Sequence, residues 1–519
     1  MSPRLAAAWA VLPDYLGQHV LLSAAALGLG LAVSLPLAVA ARERPRLRWA
    51  ALTVAGVIQT IPSLALLALF YPLLLALSAA AHTLLGVSFP ALGFLPALLA
   101  LALYAMLPIL RTALAGLAGV DPAVREAARG VGMTEAQRLW MVELPLAAPV
   151  IMAGVRTAAV WTIGAATLAT PVGQTSLGDY IFAGLQTEDW VWVLFGCGAC
   201  AALALMTDQL LGLIEAGAAK RSARRIVAGL VGLALGVLAA LAPLAKSPAH
   251  GPAVVIGAKN FSEQYILAEL MTRRLQDAGY FVSQRSDLGS AVAYQALAAG
   301  EIDAYVDYSG TLWADLLHRS DNPPRAVLLG QLGQALQARD GVRLLGPLGF
   351  ENAYALAMRR DRAQALGVRS LADLGRVAPG LTLGADLEFL SRPEWAALKG
   401  AYGLRFKAER RFQPTFMYKA VQDGEADVIS AFSSDGRIAA DDLVVLGDPR
   451  QAIPPYDAVI LVSPKRAGDG RFVAALRPLV GAIPAEAMRA ANLSVDRDQD
   501  KATPAQAAQV LAQRIGVKP

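Results

Sequence analysis

Cys197 and Cys200 form a C-x-x-C pair, a spacing that serves dithiol redox chemistry or half of a zinc site. There is no second pair and no nearby histidine, and both lie in an apolar run around 190–214, so small packing residues are the expectation. The four histidines, His19, His82, His250 and His318, are scattered and form no metal-ligand spacing. No G-x-x-x-x-G-K-[ST] loop occurs, so if ATP drives this protein another chain supplies the ATPase. Asp303 and Asp427 read as residues that end turns or cap helices, and no convincing nucleophile–base–acid set accompanies them. Bond-breaking chemistry is therefore not expected. What remains is a polar loop among apolar segments and a set of aromatic, basic and hydroxyl side chains in the second half.

The polar loop is residues 121–145, DPAVREAARGVGMTEAQRLWMVELP. Glu126-Ala127-Ala128 opens a helix-prone run, Gly132 follows, and Val142-Glu143-Leu144-Pro145 comes nine residues later. Pro145 and Pro149 restrict the backbone on the way back into apolar sequence. This pattern resembles the cytoplasmic coupling loop of ABC-importer permeases, with Val142 where the family pattern has Ile. The resemblance implies a short helix-turn-helix that docks into a cleft on a separate ATPase subunit. The residues that carry it are Glu126, Ala127, Ala128, Gly132, Leu144 and Pro145.

The elements that position this loop are apolar. The chain of 519 residues is 55% hydrophobic and 17% charged, but residues 1–251 hold 26 charged residues and 252–519 hold 61. A membrane half thus precedes a water-soluble half. Membrane helices are expected at about 18–41, 49–78 (with Pro62 kinking or breaking the second), 92–110, 147–168, 190–214 and 226–244. Residues 1–17 read as a short mixed lead-in without a signal-peptide cleavage pattern, and helix three returns to the cytoplasm at Arg111. Residues 169–189 form an outer loop with Asp179, Glu188 and Asp189. Arg42, Arg44, Arg46 and Arg48 mark the first inner loop, and Lys220-Arg221-Ser222-Ala223-Arg224-Arg225 marks the last. Six crossings from an outside N-terminus put every basic loop inside and residues 252–519 outside, so charge and helix count agree. The net charge of +5 then reads as orientation, not as nucleic-acid binding. The expected domains are a permease at 1–225 containing the coupling loop 121–145, a sixth helix and linker at 226–252, and a soluble domain at 253–519.

In the soluble half, strand-like runs alternate with amphipathic helices, which argues an α/β fold with a mostly parallel sheet. Val254-Val255-Ile256-Gly257 is a strand, and a helix follows from about 262 with Ile266, Leu267, Leu270, Met271 and Arg274 at helical spacing. Asn260 with Glu263 three residues on suits a capped start. AYQALAAGEIDAYVDYSG (293–310) aligns without gaps with MYKAVQDGEADVISAFSS (417–434). Each reads as helix, Gly (Gly300, Gly424), Asp (Asp303, Asp427), buried strand and aromatic (Tyr308, Phe432). Two related lobes are expected, at about 253–352 with 457–519 and at about 353–456. Both would present strand ends to a shared cleft, where ligands of α/β sheets bind.

AKNFSEQYILAEL, DLGSAVAYQALAAGEID, YSGT, ENAYALAMR, SDGRI and PPYDA resemble the binding proteins for glycine betaine and other quaternary amines. QTIPSLAL, at 59–66, resembles the permeases of the same importers. The resemblance implies an all-α permease of about six helices, type I ABC importer-like, fused to a two-lobed, type II periplasmic-binding-protein-like domain. It further implies a cage of Tyr308, Tyr354, Phe432 and Tyr456 around a quaternary ammonium, with Phe where the family has a fourth Tyr. Lys259, Thr311 and Arg392 would hold the ligand carboxylate. A trimethylated nitrogen donates no hydrogen bond, and aromatic faces attract it through their quadrupole. Arg grips a carboxylate with two parallel hydrogen bonds, and Lys adds a point charge.

The resulting expectation is a non-enzymatic importer subunit in the bacterial inner membrane that translocates glycine betaine or a similar solute. Rival ligands are choline, carnitine, ergothioneine and a proline-like solute, and a solute-binding membrane sensor is the rival from another class. Expected partners are a separate ATPase carrying ATP and Mg, a second copy of the chain to complete the pore, and membrane lipid, with no nucleic acid and no cofactor on this chain.

Overall fold

In a computed structural model the chain forms two compact units, one of membrane helices and one α/β. Residues 3–87, 89–187, 189–245, 252–319, 321–412, 414–497 and 499–517 are described, so Glu188 and His250 lie outside them.

Among the described residues six helices are long and apolar enough to cross a membrane: Arg4–Ala41, Ser63–Leu85, Phe94–Ala118, Glu135–Val172, Trp190–Ala219 and Ala223–Leu244. The number matches expectation, but most boundaries move outward. Residues 3–17 are not a separate lead-in; they are the start of the helix Pro3–Ala41, built from Ala and Leu with Pro3 in the first turn. The third span continues through Arg111 to Ala118. The second breaks outright at Pro62, giving the helices Pro45–Thr60 and Ser63–Leu85. Proline lacks the N–H and forces the preceding residue toward extended geometry, and Ile61 is extended. The freed Ile61 carbonyl accepts from the Tyr104 hydroxyl. The outer loop is largely helical, with Thr167–Val172 in a 3₁₀ turn and the helix Gly178–Gln186. Cys197 is exposed and Cys200 partly buried, its Sγ 3.8 Å from the Ile163 carbonyl, and both are free thiols on the helix Trp190–Ala219.

The soluble unit contains ten strands: β1 Ala253–Lys259, β2 Phe281–Leu288, β3 Ala304–Tyr308, β4 Arg343–Glu351, β5 Tyr354–Arg359, β6 Thr382–Ala385, β7 Ala408–Arg411, β8 Val428–Phe432, β9 Leu443–Val445 and β10 Asp457–Val462. They form two five-stranded sheets, in order β2-β1-β3-β10-β4 and β7-β6-β8-β5-β9. The expectation of a mostly parallel sheet is corrected. In each sheet the three strands on one side pair in parallel, while the remaining pairings are antiparallel. The reason is topological: β10 returns from the second sheet to the first, and so runs against β3. The first sheet takes strands from residues 253–351 and 457–462, and the second takes those from 354–445.

The two sheets share one layout, with β3 and β8 at their centres. Gly300 and Gly424 end the preceding helical turns at φ +73° and +76°, a conformation that costs other residues a Cβ clash. Asp303 and Asp427 end the turns that lead into β3 and β8, and they cap no helix. Each fastens the adjacent parallel strand: Asp303 accepts from the Val255 N–H at 2.7 Å, and Asp427 from the Thr382 N–H at 2.9 Å. The residue backbone N–H groups return the bond to the Val255 and Thr382 carbonyls.

Candidate functional site

Residues 121–145, expected from the resemblance to be a coupling loop, fold as helix, turn and helix. Pro122–Gly130 is helical, with Asp121 at its N-cap accepting from the Ala123 N–H at 2.8 Å. Ala128 is buried, while Glu126 and Ala127 on the same helix are exposed. The chain turns at Gly132, and Thr134 with Gln137 forms a reciprocal cap that starts the next helix. That helix continues without interruption through Leu144 and Pro145 into the membrane span, by way of a π-turn at Leu139–Glu143. Pro145 lies inside this continuous helix directly after the π-turn, where the regular i→i−4 ladder is already interrupted. Val131, Trp140 and Met141 are exposed apolar side chains on this loop.

The soluble unit holds a cavity of about 280 Å³. Its lining includes all seven residues carried over from the resemblance: Lys259, Tyr308, Thr311, Tyr354, Arg392, Phe432 and Tyr456. Tyr308 and Phe432 end the central strands β3 and β8. Tyr354 opens β5 and is the antiparallel partner of Phe432. Tyr456 immediately precedes β10, and its carbonyl accepts from the Asn352 N–H at 3.0 Å. Lys259 ends β1, Thr311 lies in the turn after β3, and Arg392 precedes the helix Pro393–Tyr402.

Three of the four rings stand close together. The Tyr354 ring centre lies 5.0 Å from Phe432 and 6.0 Å from Tyr456, the latter edge to face. Tyr308 stacks with Phe261 at 6.1 Å. Gly310, in the Y-S-G-T run, is needed for this packing, because a Cβ there would lie 2.6 Å from the Tyr456 ring. Behind the cavity Phe389 lies 5.3 Å from Tyr354 and continues to Trp395.

The two cations are not surface charges. Lys259 is 3% exposed and paired with Asp307, itself 1% exposed. Arg392 is 8% exposed, with Nη1 3.2 Å from Asp315 and 3.7 Å from Glu394. Each also faces one of the four rings: Lys259 Nζ is 5.4 Å from the Tyr308 centroid, and the Arg392 guanidinium is 5.1 Å from that of Tyr354.

Several lining or supporting residues escaped the sequence reading. Glu263 is not the capping partner of Asn260 that its spacing suggests. The N-cap of the helix Ser262–Asp277 is Phe261, with no side-chain cap, and Glu263 turns inward. Its carboxylate accepts from the Tyr308 hydroxyl at 2.6 Å, Asn352 Nδ2 at 3.2 Å and Asn492 Nδ2 at 2.8 Å. Glu394 likewise accepts from the Tyr456 hydroxyl. Burial, and then the adjacent Glu263 charge, push the Tyr308 phenol well above its ordinary range; burial and Glu394 push up that of Tyr456. Both therefore stay neutral hydroxyl donors. Burial raises the Glu263 carboxyl, while hydrogen bonds from Ser434, Tyr308, Asn492 and Asn352 pull it back. The only sequence signal for either acid was position: Glu263 falls within AKNFSEQ, and Glu394 two residues after Arg392.

Comparison with known proteins places these features. Residues 252–512, half of the chain, match the family described as the substrate binding domain of ABC-type glycine betaine transport system. Residues 30–225 match the binding-protein-dependent transport system inner membrane component. The chain belongs to the ABC importers. It is a permease fused to a C-terminal substrate-binding domain, related to glycine betaine, carnitine and choline transporters, and acts in transport rather than catalysis.

Relatives of the importer include an ergothioneine transport permease/ergothioneine binding protein of Helicobacter pylori, 29% identical over 79% of this chain and 74% of that one. A choline transport system permease protein of Bacillus subtilis is 43% identical over 33% of this chain and 72% of its own. A glycine-betaine-binding protein of Pseudomonas aeruginosa is 31% identical over 47% and 82%. A solved glycine betaine/carnitine/choline ABC transporter structure covers 51% of this chain and 99% of its own at 24% identity, with a TM-score of 0.46. The solutes in these names divide, which widens the expectation of glycine betaine to the quaternary-amine and osmoprotectant class. Membership implies a separate ATPase subunit and a small-molecule ligand. The importer is a multi-pass inner-membrane protein with its binding domain on the extracytoplasmic side.

Proposed function

We propose that this importer carries a betaine, a trimethylammonium compound with a carboxylate, in the range from glycine betaine to larger members such as carnitine and ergothioneine. One observation carries the reading: Tyr308, Tyr354, Phe432 and Tyr456 line the same cavity of about 280 Å³ as Lys259, Arg392 and Thr311. That volume is near the small end of ligand pockets, roughly 300–1,000 Å³. In this reading Tyr308, Tyr354, Phe432 and Tyr456 receive the quaternary nitrogen. Lys259, Thr311 and Arg392 receive the carboxylate, since Arg has five N–H donors and retains capacity beside its acidic neighbours. Phe432 keeps the ring face and lacks the hydroxyl of a fourth tyrosine.

A second reading within the class, ergothioneine, is favoured by the relative whose match runs through both domains of one chain. The cavity also extends past the rings to Ser434, Asp435, Arg437 and Asn492, which offers a longer betaine polar contacts. Delivery would use two copies of the chain, with ATPase movement entering through residues 121–145.

Calorimetry on the purified chain tests the reading with glycine betaine, carnitine, ergothioneine, choline and proline, beside a Tyr308→Ala variant. Binding of one or more carboxylated trimethylammonium compounds, weakened about tenfold or more in the variant, is expected. Choline binding tighter than every betaine would overturn the carboxylate assignment. Binding of none would overturn the class.

A further inference from the structure

Two of the three cage tyrosines donate their hydroxyls to buried carboxylates: Tyr308 to Glu263, and Tyr456 to Glu394. Glu263 is 2% exposed and Glu394 3%. The two acids differ in their surroundings. Glu394 has Arg392 Nη1 at 3.7 Å. Glu263 receives neutral donors, from Tyr308, Asn352, Asn492 and Ser434, and no Lys, Arg or His forms an ion pair with it among the described residues.

Most other charges on the cavity wall are paired locally, while Asp496, which accepts from the Ser262 hydroxyl, is a further acid there. Lys259 is paired with Asp307, Arg392 with Asp315 and Glu394, and Arg437 with Asp435. Glu263 is left as a carboxylate on the cavity wall with no cation of its own. Removing a charge from water without a counter-charge is costly, so such a group calls for a partner that arrives from outside. A hydroxyl that donates to a carboxylate also shifts electron density from the O–H bond toward the phenol ring. A ring richer in density attracts a cation more strongly on its face.

We propose that Glu263 is a specificity residue of the importer, acting through Tyr308. Its charge makes the Tyr308 ring and the cavity around it more negative, so that the site selects a positively charged quaternary nitrogen over an uncharged group of the same shape. Glu394 does the same through Tyr456, at reduced strength because Arg392 offsets it. This rests on the reading of the four rings as the cation site. It adds what the rings alone do not supply, since an aromatic cage also accepts a neutral tert-butyl group by shape and apolar contact.

The experiment uses isosteric pairs in which carbon replaces the quaternary nitrogen: glycine betaine with 3,3-dimethylbutanoate, and choline with 3,3-dimethylbutan-1-ol. Affinities are measured by calorimetry on the full chain, wild type and Glu263→Gln. The glutamine keeps the acceptor for Tyr308 and the side-chain volume while removing the charge. The expected result is that the variant loses preference for the charged member by on the order of tenfold, with binding of the carbon analogue unchanged. Tyr308→Phe keeps the ring and severs the link, and should lower the same preference by several-fold, giving an independent reading should Glu263→Gln not fold. Equal weakening of both members in the variants would mean a purely structural role and would overturn the inference. So would an unchanged preference in Tyr308→Phe. Where only a larger betaine binds, its own tert-butyl analogue enters the same comparison; if the wild-type chain binds no betaine up to ergothioneine, or binds both members of a pair equally, the cation-site reading falls and the inference falls with it. A wild-type preference for the cation that survives Glu263→Gln overturns the inference alone.

Discussion

Arg138 and Glu143 form a buried ion pair at 2.9 Å, five residues apart on one helix. In an α-helix residues five apart point in different directions; the π-turn at Leu139–Glu143, which closes i→i+5 bonds, brings them onto one face. Arg138 also meets Glu135 and Glu43, while Arg42 and Arg125 approach Glu143. The pair therefore ties the coupling loop to the loop after the first span. Arg138→Met and Glu143→Leu, made singly, should each destabilise the chain by about 2 kcal/mol, because each removes a buried charge-assisted hydrogen bond and leaves the other partner to its longer or more exposed ion pairs. The double variant should lose less than the sum. Thermal unfolding of the four proteins in detergent, read as a double-mutant cycle, checks this.

Gly310 is where the cage meets the backbone. Gly310→Ala puts a methyl 2.6 Å from the Tyr456 ring and must displace it. Affinity for a bound betaine should fall about tenfold, the loss of roughly one aromatic contact with the cation. Calorimetry on the variant, with its unfolding temperature as a control for global damage, decides the point.

Phe432 contributes a ring face without a hydroxyl. Phe432→Leu keeps apolar bulk and removes the π-system, so betaine affinity should drop by about 3- to 30-fold. Phe432→Tyr should bind within a few-fold of wild type, since the face is kept. An equal loss in both variants would show that packing against Tyr354, and not the quadrupole, is what matters.

Asp287 gives a pH dependence with a definite sign. Burial pushes its carboxyl up to about 6, against the hydrogen bond from the Tyr265 hydroxyl that lowers it. The native state thus holds the proton more tightly than the unfolded chain does. This contribution is complete below about pH 4 and is lost as pH rises to about 6. Asp287→Asn removes the loss, and Asn tolerates the positive φ of 62° found here. The variant should exceed wild type in stability by about 2–3 kcal/mol at pH 7 and match it near pH 3.5. Thermal unfolding at both pH values measures the difference.

The sequence by itself determined much of this importer, and for physical reasons. Six apolar runs divided by basic loops must be membrane helices, because unpaired backbone groups cannot face lipid. The Glu126-Ala127-Ala128, Gly132, Leu144-Pro145 spacing marked residues 121–145 as a polar helix-turn-helix between spans. The Tyr308/Phe432 repeat announced two similar sheets, since strand period and glycine stops are local properties. Tertiary structure alone decided what depends on return paths and on burial. The directions of β10 in one sheet and β5 in the other made the sheets mixed, and neighbouring strands turned Asp303 and Asp427 into fasteners. The π-turn that joins Arg138 to Glu143 has no local signature, because it places residues by helical phase and not by type. Glu263 looked like a helix cap, three residues after Asn260. Only the approach of Tyr308, Asn352 and Asn492, 45, 89 and 229 residues away, drew it into the cavity wall. A carboxylate's partner is fixed by which distant donors the fold brings to it, and spacing along the chain carries no record of that.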